Sequence, residues 1–305
     1  MCNGSIMDKL ISFSLPLMVS GILQLAFNAV DIIVVGRFSG SQALAAVGST
    51  TALINVFTNL FIGISLGANV LAARFYAAGK DREMSETVHT SITLAMVSGV
   101  IMAFVGVLFA RGALELMGTP DDVIDLATLY LRIYFAGMPA TMLYNYGSAI
   151  LRAVGDTKRP LYYLSIAGIL NVILNLFFVV VCGMSVEGVA IATVISQCVS
   201  LGLTLFCMMR SDGFLRLRWK EVRIDWSKLG KIVKVGLPAG LQGSLFSISN
   251  VMIQASVNSF GSLVMAGNGA AANIEGFVYT SMNALYQTNL SFTSQNIGAE
   301  KYTRI

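Results

Sequence analysis

The sequence predicts an all-α integral membrane protein laid out as a parallel two-lobe repeat, and three observations predict it. Hydrophobic residues make up 55% of the 305-residue chain and charged residues only 12%, where ordinary globular chains carry about 25% charged residues. Long stretches are nearly free of charge: 10–36 holds only Asp31, 87–110 holds none beyond a neutral His89, and 161–183 holds none. The start of the chain is also written twice. Leu15, Pro16, Gly21, Leu23, Asn28, Val35 and Phe38 recur 222 residues later as Leu237, Pro238, Gly243, Leu245, Asn250, Val257 and Phe260. One residue is then lost, and Gly40, Ser41, Ala45, Gly48, Ala78 and Lys80 recur as Gly261, Ser262, Ala266, Gly269, Ala299 and Lys301.

A helix needs roughly 20 apolar residues to span the hydrocarbon. On that measure the sequence places eight spans, at 10–36, 43–72, 87–110, 126–150, 161–182, 187–209, 235–258 and 264–292. The first is too long for the apolar part of a cleaved signal and has no small-residue cleavage site behind a short one, so it reads as a retained helix. Pro16, Pro139 and Pro238 each remove a backbone hydrogen bond inside a span and should kink it. The fifteen methionines suit either a pliable ligand surface or plain packing. Cys2, Cys182, Cys198 and Cys207 show no ligand spacing and imply no disulfide framework. His89, at the inner end of its span, reads as an interfacial residue.

The connections alternate in charge. One set holds 17 of the 20 basic residues, and the other only Arg37, Arg111 and Arg132. The positive-inside rule therefore places the N-terminus in the cytoplasm. Loop 111–125, with Glu115, Asp121, Asp122 and Asp125, falls outside. The basic run 210–234 suits a cytoplasmic linker beside anionic lipid better than a nucleic-acid site. It also divides the chain into a first six-helix lobe (1–210), a linker (211–234) and the first two helices of a second lobe (235–305). Six spans separate the two copies, so both start from the same side. Transporters build two halves around a central site from repeats of this kind, related by an axis along the membrane normal.

Several polar residues do not belong in lipid. A carboxylate on a spanning helix costs several kcal/mol unless it faces a cavity or partner, which singles out Asp31. Asn28 lies three residues earlier on the same face. Such a carboxylate can exchange a proton or a Na⁺ as a cavity alternates between sides, or it can snorkel to the outer interface near Arg37. Asn171 and Asn175, Thr193 and Gln197, and Asn145 and Ser148 each share one helical face. These pairs can line a cavity or bond helix to helix. Glu275 is the second buried acid expected; its counterpart in the first copy is Ile54, while that of Asp31 is Ile253. It can bind a cationic substrate or a second ion, or stay neutral and bonded to Asn273 or Ser281.

Three stretches resemble the multidrug and toxic compound extrusion (MATE) family. Leu15-Pro16, Asn28 to Asp31 and Val35 to Arg37 are similar to its first helix. The run Ile150 to Pro160, Ile-Leu-Arg-Ala-Val-Gly-Asp-Thr-Lys-Arg-Pro, is similar to its fourth-to-fifth helix connection and is the most specific of the three. Ser294 to Ala299 is similar to the end of its eighth helix. The resemblance implies an antiporter of twelve helices, eight of them present here, that exports cationic or amphipathic small molecules across the cell membrane as Na⁺ or H⁺ returns. It implies a coupling site at Asp31, Asn171, Asn175 and Thr193, with Tyr130 and Asn145 nearby; the reading of the residues adds Asn28, Gln197 and Glu275 as candidate cavity-lining or substrate positions. Many members carry an aspartate where Asn175 stands. No catalytic residue and no cofactor is implied beyond the coupling ion, and no metal beyond a Na⁺ at Asp31. Its partners are a small-molecule substrate and the lipid bilayer, without nucleic acid, as a monomer. The sequence is expected to be a partial one.

Two alternatives stand beside this. A lipid or polysaccharide flippase of the related exporter superfamily often lines its cavity with several cations, whereas the spans here hold Arg132 and little else basic. A membrane-embedded transferase needs clustered carboxylates or histidines near one interface, and one histidine with two well-separated acids does not supply them.

Overall fold

The structure, a computed structural model, describes the chain except Asp212 and residues 259–261; side chains at 52, 251, 254, 255, 257–270, 272 and 273 also lie outside the description. Several repeat positions, among them Val257, Phe260, Ala266 and Gly269, and the proposed Glu275 partner Asn273, therefore fall outside the described residues. Nine α-helices follow one another among the described residues: α1 (Ile6–Phe38), α2 (Gly40–Ala77), α3 (Asp81–Leu116), α4 (Asp121–Ala136), α5 (Met138–Ala153), α6 (Lys158–Leu176), α7 (Val186–Arg210), α8 (Trp226–Asn258) and α9 (Ser262–Gly298). A π-helical turn, Phe177–Val181, continues α6.

Helices α1, α2, α3, α6 with its π turn, and α7 are long and apolar enough to cross a membrane. The other three predicted spans differ in instructive ways. Span 4 is divided at Gly137, which ends α4 and begins α5. Pro139 causes this, because it has no N–H to offer the preceding turn. Each half is 16 residues, about 24 Å at the α-helical rise and short of the ~30 Å hydrocarbon core. Helices α8 and α9 are long but carry Gln242, Ser244, Ser247 and Asn250, and Asn283, Gln287 and Asn289. Helix α1 runs unbroken through Pro16, as α8 does through Pro238; Ser20 Oγ donates to the Pro16 carbonyl at 2.8 Å.

The outward faces are apolar. On α3, Val97, Ile101, Phe104 and Leu108 recur at helical spacing and are all exposed, as a lipid-facing stripe requires. The inward faces hold small residues where helices cross. A Cβ on Gly99 would lie 2.6 Å from the Cα of Pro139, and one on Gly106 would lie 2.1 Å from the Phe135 ring. Small residues of this kind let helices in lipid gain contact in place of a hydrophobic drive.

The run Ile150–Pro160 is a helix stop followed by a helix start. Gly155 takes φ +98°, a left-handed conformation that glycine adopts freely. Gly155 N donates to Arg152 O at 2.9 Å and Asp156 N to Leu151 O at 3.0 Å, closing α5. Asp156 Oδ1 then accepts from Arg159 N at 3.1 Å, and its other oxygen pairs with Arg159 Nε at 3.3 Å, opening α6.

The basic linker is packed on the protein. Leu217 is buried and its N–H donates to Met208 O at 3.1 Å. His89, expected at the interface, is buried instead. Its Nδ1 meets Ser85 O at 2.7 Å and its Nε2 accepts from Arg218 N at 3.2 Å, which specifies the Nδ1–H tautomer. Asp225 Oδ1 caps α8 by accepting from Lys228 N at 3.0 Å, and this N–H holds the Asp225 carboxyl below its ordinary range. All four cysteines are free.

The two sequence copies meet through glycine. A Cβ on Gly63 of α2 would lie 2.1 Å from Gly240 Cα of α8; one on Gly67 would lie 2.2 Å from Ile232 O, and one on Gly236 2.5 Å from Ile64 Cα. Two further contacts are related by the repeat. Gly21 of α1 faces Thr280 of α9, and Gly243 of α8 faces Asn59 of α2. Gly243 is the repeat counterpart of Gly21, and Thr280 that of Asn59. Polar bonds accompany these crossings: Asn59 Nδ2 to Ser247 Oγ at 2.8 Å, Asn69 Nδ2 to Ala149 O at 2.8 Å, Ser291 Oγ to Asn69 Oδ1 at 3.0 Å, and Gln295 Nε2 to Ala153 O at 2.7 Å. Those made by Asn69, Ser291 and Gln295 lie toward the end that holds Met1 and Lys301. Toward the other end, Ile33, Met252, Ile253 and Ile274 are exposed.

Replacing Gly63 by alanine should therefore force α2 and α8 apart and lower stability by about 1–3 kcal/mol, the usual cost of overpacking. Gly202→Ala, where an added Cβ meets nothing within 4 Å, should be neutral or stabilising by up to about 1 kcal/mol. Thermal unfolding of the two variants in one detergent, followed by size-exclusion chromatography, reads the difference.

Candidate functional site

Asp31 on α1 faces the seam between α6 and α7. Asn171 and Asn175 sit one turn apart on α6, so both point to that seam. Asn175 Nδ2 donates to Asp31 Oδ1 and also to Asn171 Oδ1, the latter at 3.2 Å. Asn171 Nδ2 reaches Thr193 Oγ1 of α7 at 3.4 Å, and the Thr193 hydroxyl donates to Val189 O at 3.0 Å. One line of hydrogen bonds thus joins Asp31, Asn175, Asn171 and Thr193, the four residues singled out for coupling.

Donor accounting shows what this line lacks. A primary amide has two N–H donors, and those of Asn175 are both spent. Reversing its amide would set an oxygen against two oxygens. Asn175 is fully buried, yet its Oδ1 has no hydrogen-bond partner, and the Oε1 of nearby Gln197 has none either. Buried acceptors of this kind are normally satisfied. The site therefore offers one carboxylate and spare neutral oxygens around a space that a proton or a small hard cation can fill. Among the described residues no three or more histidine, cysteine, aspartate or glutamate side chains gather as a metal cluster.

The space is small. A cavity of about 60 Å³ is lined by Gln24, Asn28, Asp31, Asn171, Thr193 and Gln197, among others. This is room for one or two waters, whose share of liquid volume is about 30 Å³ each. Gly168 sets its width. A Cβ there would lie 1.8 Å from Phe27 Cε2, so only glycine lets α1 pack this closely on α6. The π turn begins two residues beyond Asn175, where Cys182 N donates to Phe177 O at 3.0 Å. Inserted turns of this type are frequent at functional sites, and nothing in the residue pattern announced this one.

The remaining predicted residues separate. Asn28 and Gln197 line the 60 Å³ cavity, and Asn28 also lines a neighbouring one of about 250 Å³. Tyr130 is buried, stacks on Tyr134 at 6.2 Å and does not line the cavity, though both rings lie close to Asp31. Asn145 is half-buried on α5 and makes no side-chain hydrogen bond among the described residues. Glu275 is exposed rather than buried and lines none of the cavities described. It stands one turn from Tyr279 on the same face of α9.

Two larger chambers lie between α1–α2 and α8–α9. The 250 Å³ chamber is walled by α1 and α9 and includes Arg152 from the end of α5. A second, of about 500 Å³, lies between α2, α8 and α9 and carries the Phe246–Tyr279 pair, stacked at 5.5 Å with rings 5° from parallel. The two chambers share Asn283 and Gln287. Arg152 and this aromatic pair were not singled out from the sequence. In the sequence Arg152 belongs to a basic connection, where facing direction is not visible in a run of loop-like residues.

Comparison with known proteins follows this geometry. The MatE family model matches residues 16–177. The chain is 31% identical over 303 residues to a probable multidrug resistance protein, YoeA, of Bacillus subtilis (strain 168), with 96% of this chain and 65% of that protein covered. It is 25% identical over 297 residues to an FAD transporter of Shewanella oneidensis (strain MR-1), covering 95% of this chain and 65% of that one. The chain thus spans about two thirds of the length of these relatives. Among solved structures, it superposes on an outward-facing multidrug resistance transporter with a TM-score of 0.92 at 23% identity, covering 99% of this chain and 67% of the other.

The Gly168 contact yields a prediction. Gly168→Ala should displace Phe27, separate α1 from α6 and destabilise the fold by about 1–3 kcal/mol. Phe27→Ala in the same chain should recover most of that loss. A double-mutant cycle on thermal stability measures the coupling, and strictly additive effects would contradict the contact.

Proposed function

Because the chain belongs to the MATE family of transporters, we propose that it carries the ion-coupling half of an antiporter that exports small amphipathic molecules. The observation that carries this reading is the line from Asp31 through Asn175 and Asn171 to Thr193, ending at a cavity too small for any drug. In this reading a Na⁺ or proton enters the 60 Å³ pocket and neutralises Asp31, and the unpartnered Asn175 Oδ1 gains its missing neighbour. Substrate occupies the larger chambers between α1–α2 and α8–α9. The two sites touch through Gln24 and Asn28, which line both the ion pocket and the 250 Å³ chamber.

The lobes are those of the sequence repeat: residues 1–210, a linker at 211–234, and the second-lobe helices in 235–305. If the basic connections face the cytoplasm, the described contacts close that side and leave the chambers open outward. The close superposition on an outward-facing relative is consistent with that state. In the cycle, ion binding at Asp31 would shift α1 against α6 and α7 and so re-aim the wall it shares with the substrate chamber. A ligand moves such an equilibrium only by binding the two states unequally, and a carboxylate whose partners change with α1 provides that inequality.

Asp31→Asn keeps the size of the side chain but removes its charge. With the gene product in proteoliposomes, it should reduce ion-driven dye export to the level seen without a gradient, while folded yield stays unchanged. Undiminished driven export would remove Asp31 from the coupling role. Thr193→Val lies at the far end of the line and loses one neutral hydrogen bond, worth about 0.5–1.5 kcal/mol; it should raise the half-saturating ion concentration by roughly two- to tenfold with export retained.

A further inference from the structure

The acid and the chambers beside it are kept apart. Asp31 sits in the 60 Å³ pocket, which admits an ion but no drug-sized ligand. Among the described residues, the two chambers between α1–α2 and α8–α9 hold no acidic side chain, and Arg152 is the one formally charged residue that lines them. Its guanidinium makes no ion pair and no side-chain hydrogen bond among the described residues. Its place in the last turn of α5 gives it the favourable end of a helix dipole. That offsets only part of the cost of withdrawing a cation from bulk water without a counter-charge.

The surroundings of Arg152 are built for polar contact. Ser20, Gln24, Asn28 and Thr280 line the same chamber, and Asn283 and Gln287 open it into the 500 Å³ chamber. There the parallel Phe246 and Tyr279 rings present a flat aromatic surface. Together the chambers fall within the several hundred Å³ of an ordinary small-molecule site. Glu275 lies one turn of α9 beyond Tyr279, outside the lining of both.

We propose that Arg152 is a specificity-determining residue, and that the molecule exported is a planar aromatic bearing an anionic group, its ring on the Phe246–Tyr279 face and its carboxylate or phosphate on the Arg152 guanidinium. This rests on the export reading above and narrows its substrate class. It departs from the expectation of cationic substrates because the acid behind that expectation lies in the ion pocket. Guanidinium matches carboxylate and phosphate geometry in a bidentate manner, and the flat apolar body gains from stacking on the aromatic pair.

The test uses two dyes with one xanthene skeleton and opposite charge, carboxyfluorescein (anionic) and rhodamine 123 (cationic, its carboxyl blocked as the methyl ester). Binding to the purified full-length gene product is read by fluorescence polarisation in detergent, with no ion gradient. The wild type should bind carboxyfluorescein at least about tenfold more tightly than rhodamine 123, and Arg152→Gln should weaken carboxyfluorescein by roughly 10- to 100-fold with less than about twofold change for rhodamine 123. Arg152→Lys should recover part of the anion binding. A wild-type preference for rhodamine 123, equal weakening of both dyes in Arg152→Gln, or no binding of either dye would overturn the proposal. Failure of the export reading appears differently, as charge-selective binding without ion-driven transport.

Discussion

A carboxylate carried into hydrocarbon must be met by something, and the rest of this structure is arranged around how Asp31 is met. A single amide, Asn175, donates to it and is itself oriented by Asn171, which leans on Thr193. Four residues from three helices are therefore held to one geometry, and α1, α6 and α7 cannot shift independently without leaving a polar group exposed to lipid. The cost of such exposure is several kcal/mol, comparable with the total stability of many proteins. The network is incompletely satisfied, because Asn175 Oδ1 has no partner; in the proposed reading an arriving ion would complete it instead of disrupting a finished one.

The close approach this requires comes from glycine. Gly168 admits Phe27 and brings Asp31 within reach of Asn175. Gly63, Gly67, Gly236 and Gly240 do the same between α2 and α8, where backbones meet with almost no side chain between them. Glycine in a helix is costly in water, but in lipid, where helices gain no hydrophobic drive by associating, close backbone packing is a main source of attraction. The same small residues also keep the contact surfaces smooth. The contacts Gly21–Thr280 and Gly243–Asn59 show the repeat imposing one plan on both sides of the seam.

Much of this was legible in the residue pattern. Charge-free runs located most of the helices, because the bilayer sets their length. The spacing of Asn171 and Asn175 put both on one face, and an acid inside span 1 demanded a partner, so the group was singled out before its hydrogen bonds were known. Other features depend on neighbours distant in sequence and were not visible. Pro139 signalled a kink, but not that Gly137 would have to stay free of a side chain, since Val194 would meet a Cβ there at 2.5 Å. Glu275 looked buried because its helix is apolar, yet its side chain is exposed. His89 looked interfacial because the linker that covers it lies 129 residues downstream. Arg152 was grouped with loop cations, although its side chain turns into a chamber formed by helices from both ends of the chain.

The central claim is that Asp31, held by Asn175, is where the coupling ion binds. Infrared difference spectroscopy on aspartate-labelled protein measures this most directly, by following the carboxyl bands as Na⁺ is added or pH is lowered. The account predicts one aspartate band that responds to the ion, is absent in Asp31→Asn and moves in Asn175→Ala. An ion-dependent aspartate signal that survives Asp31→Asn unchanged would contradict it.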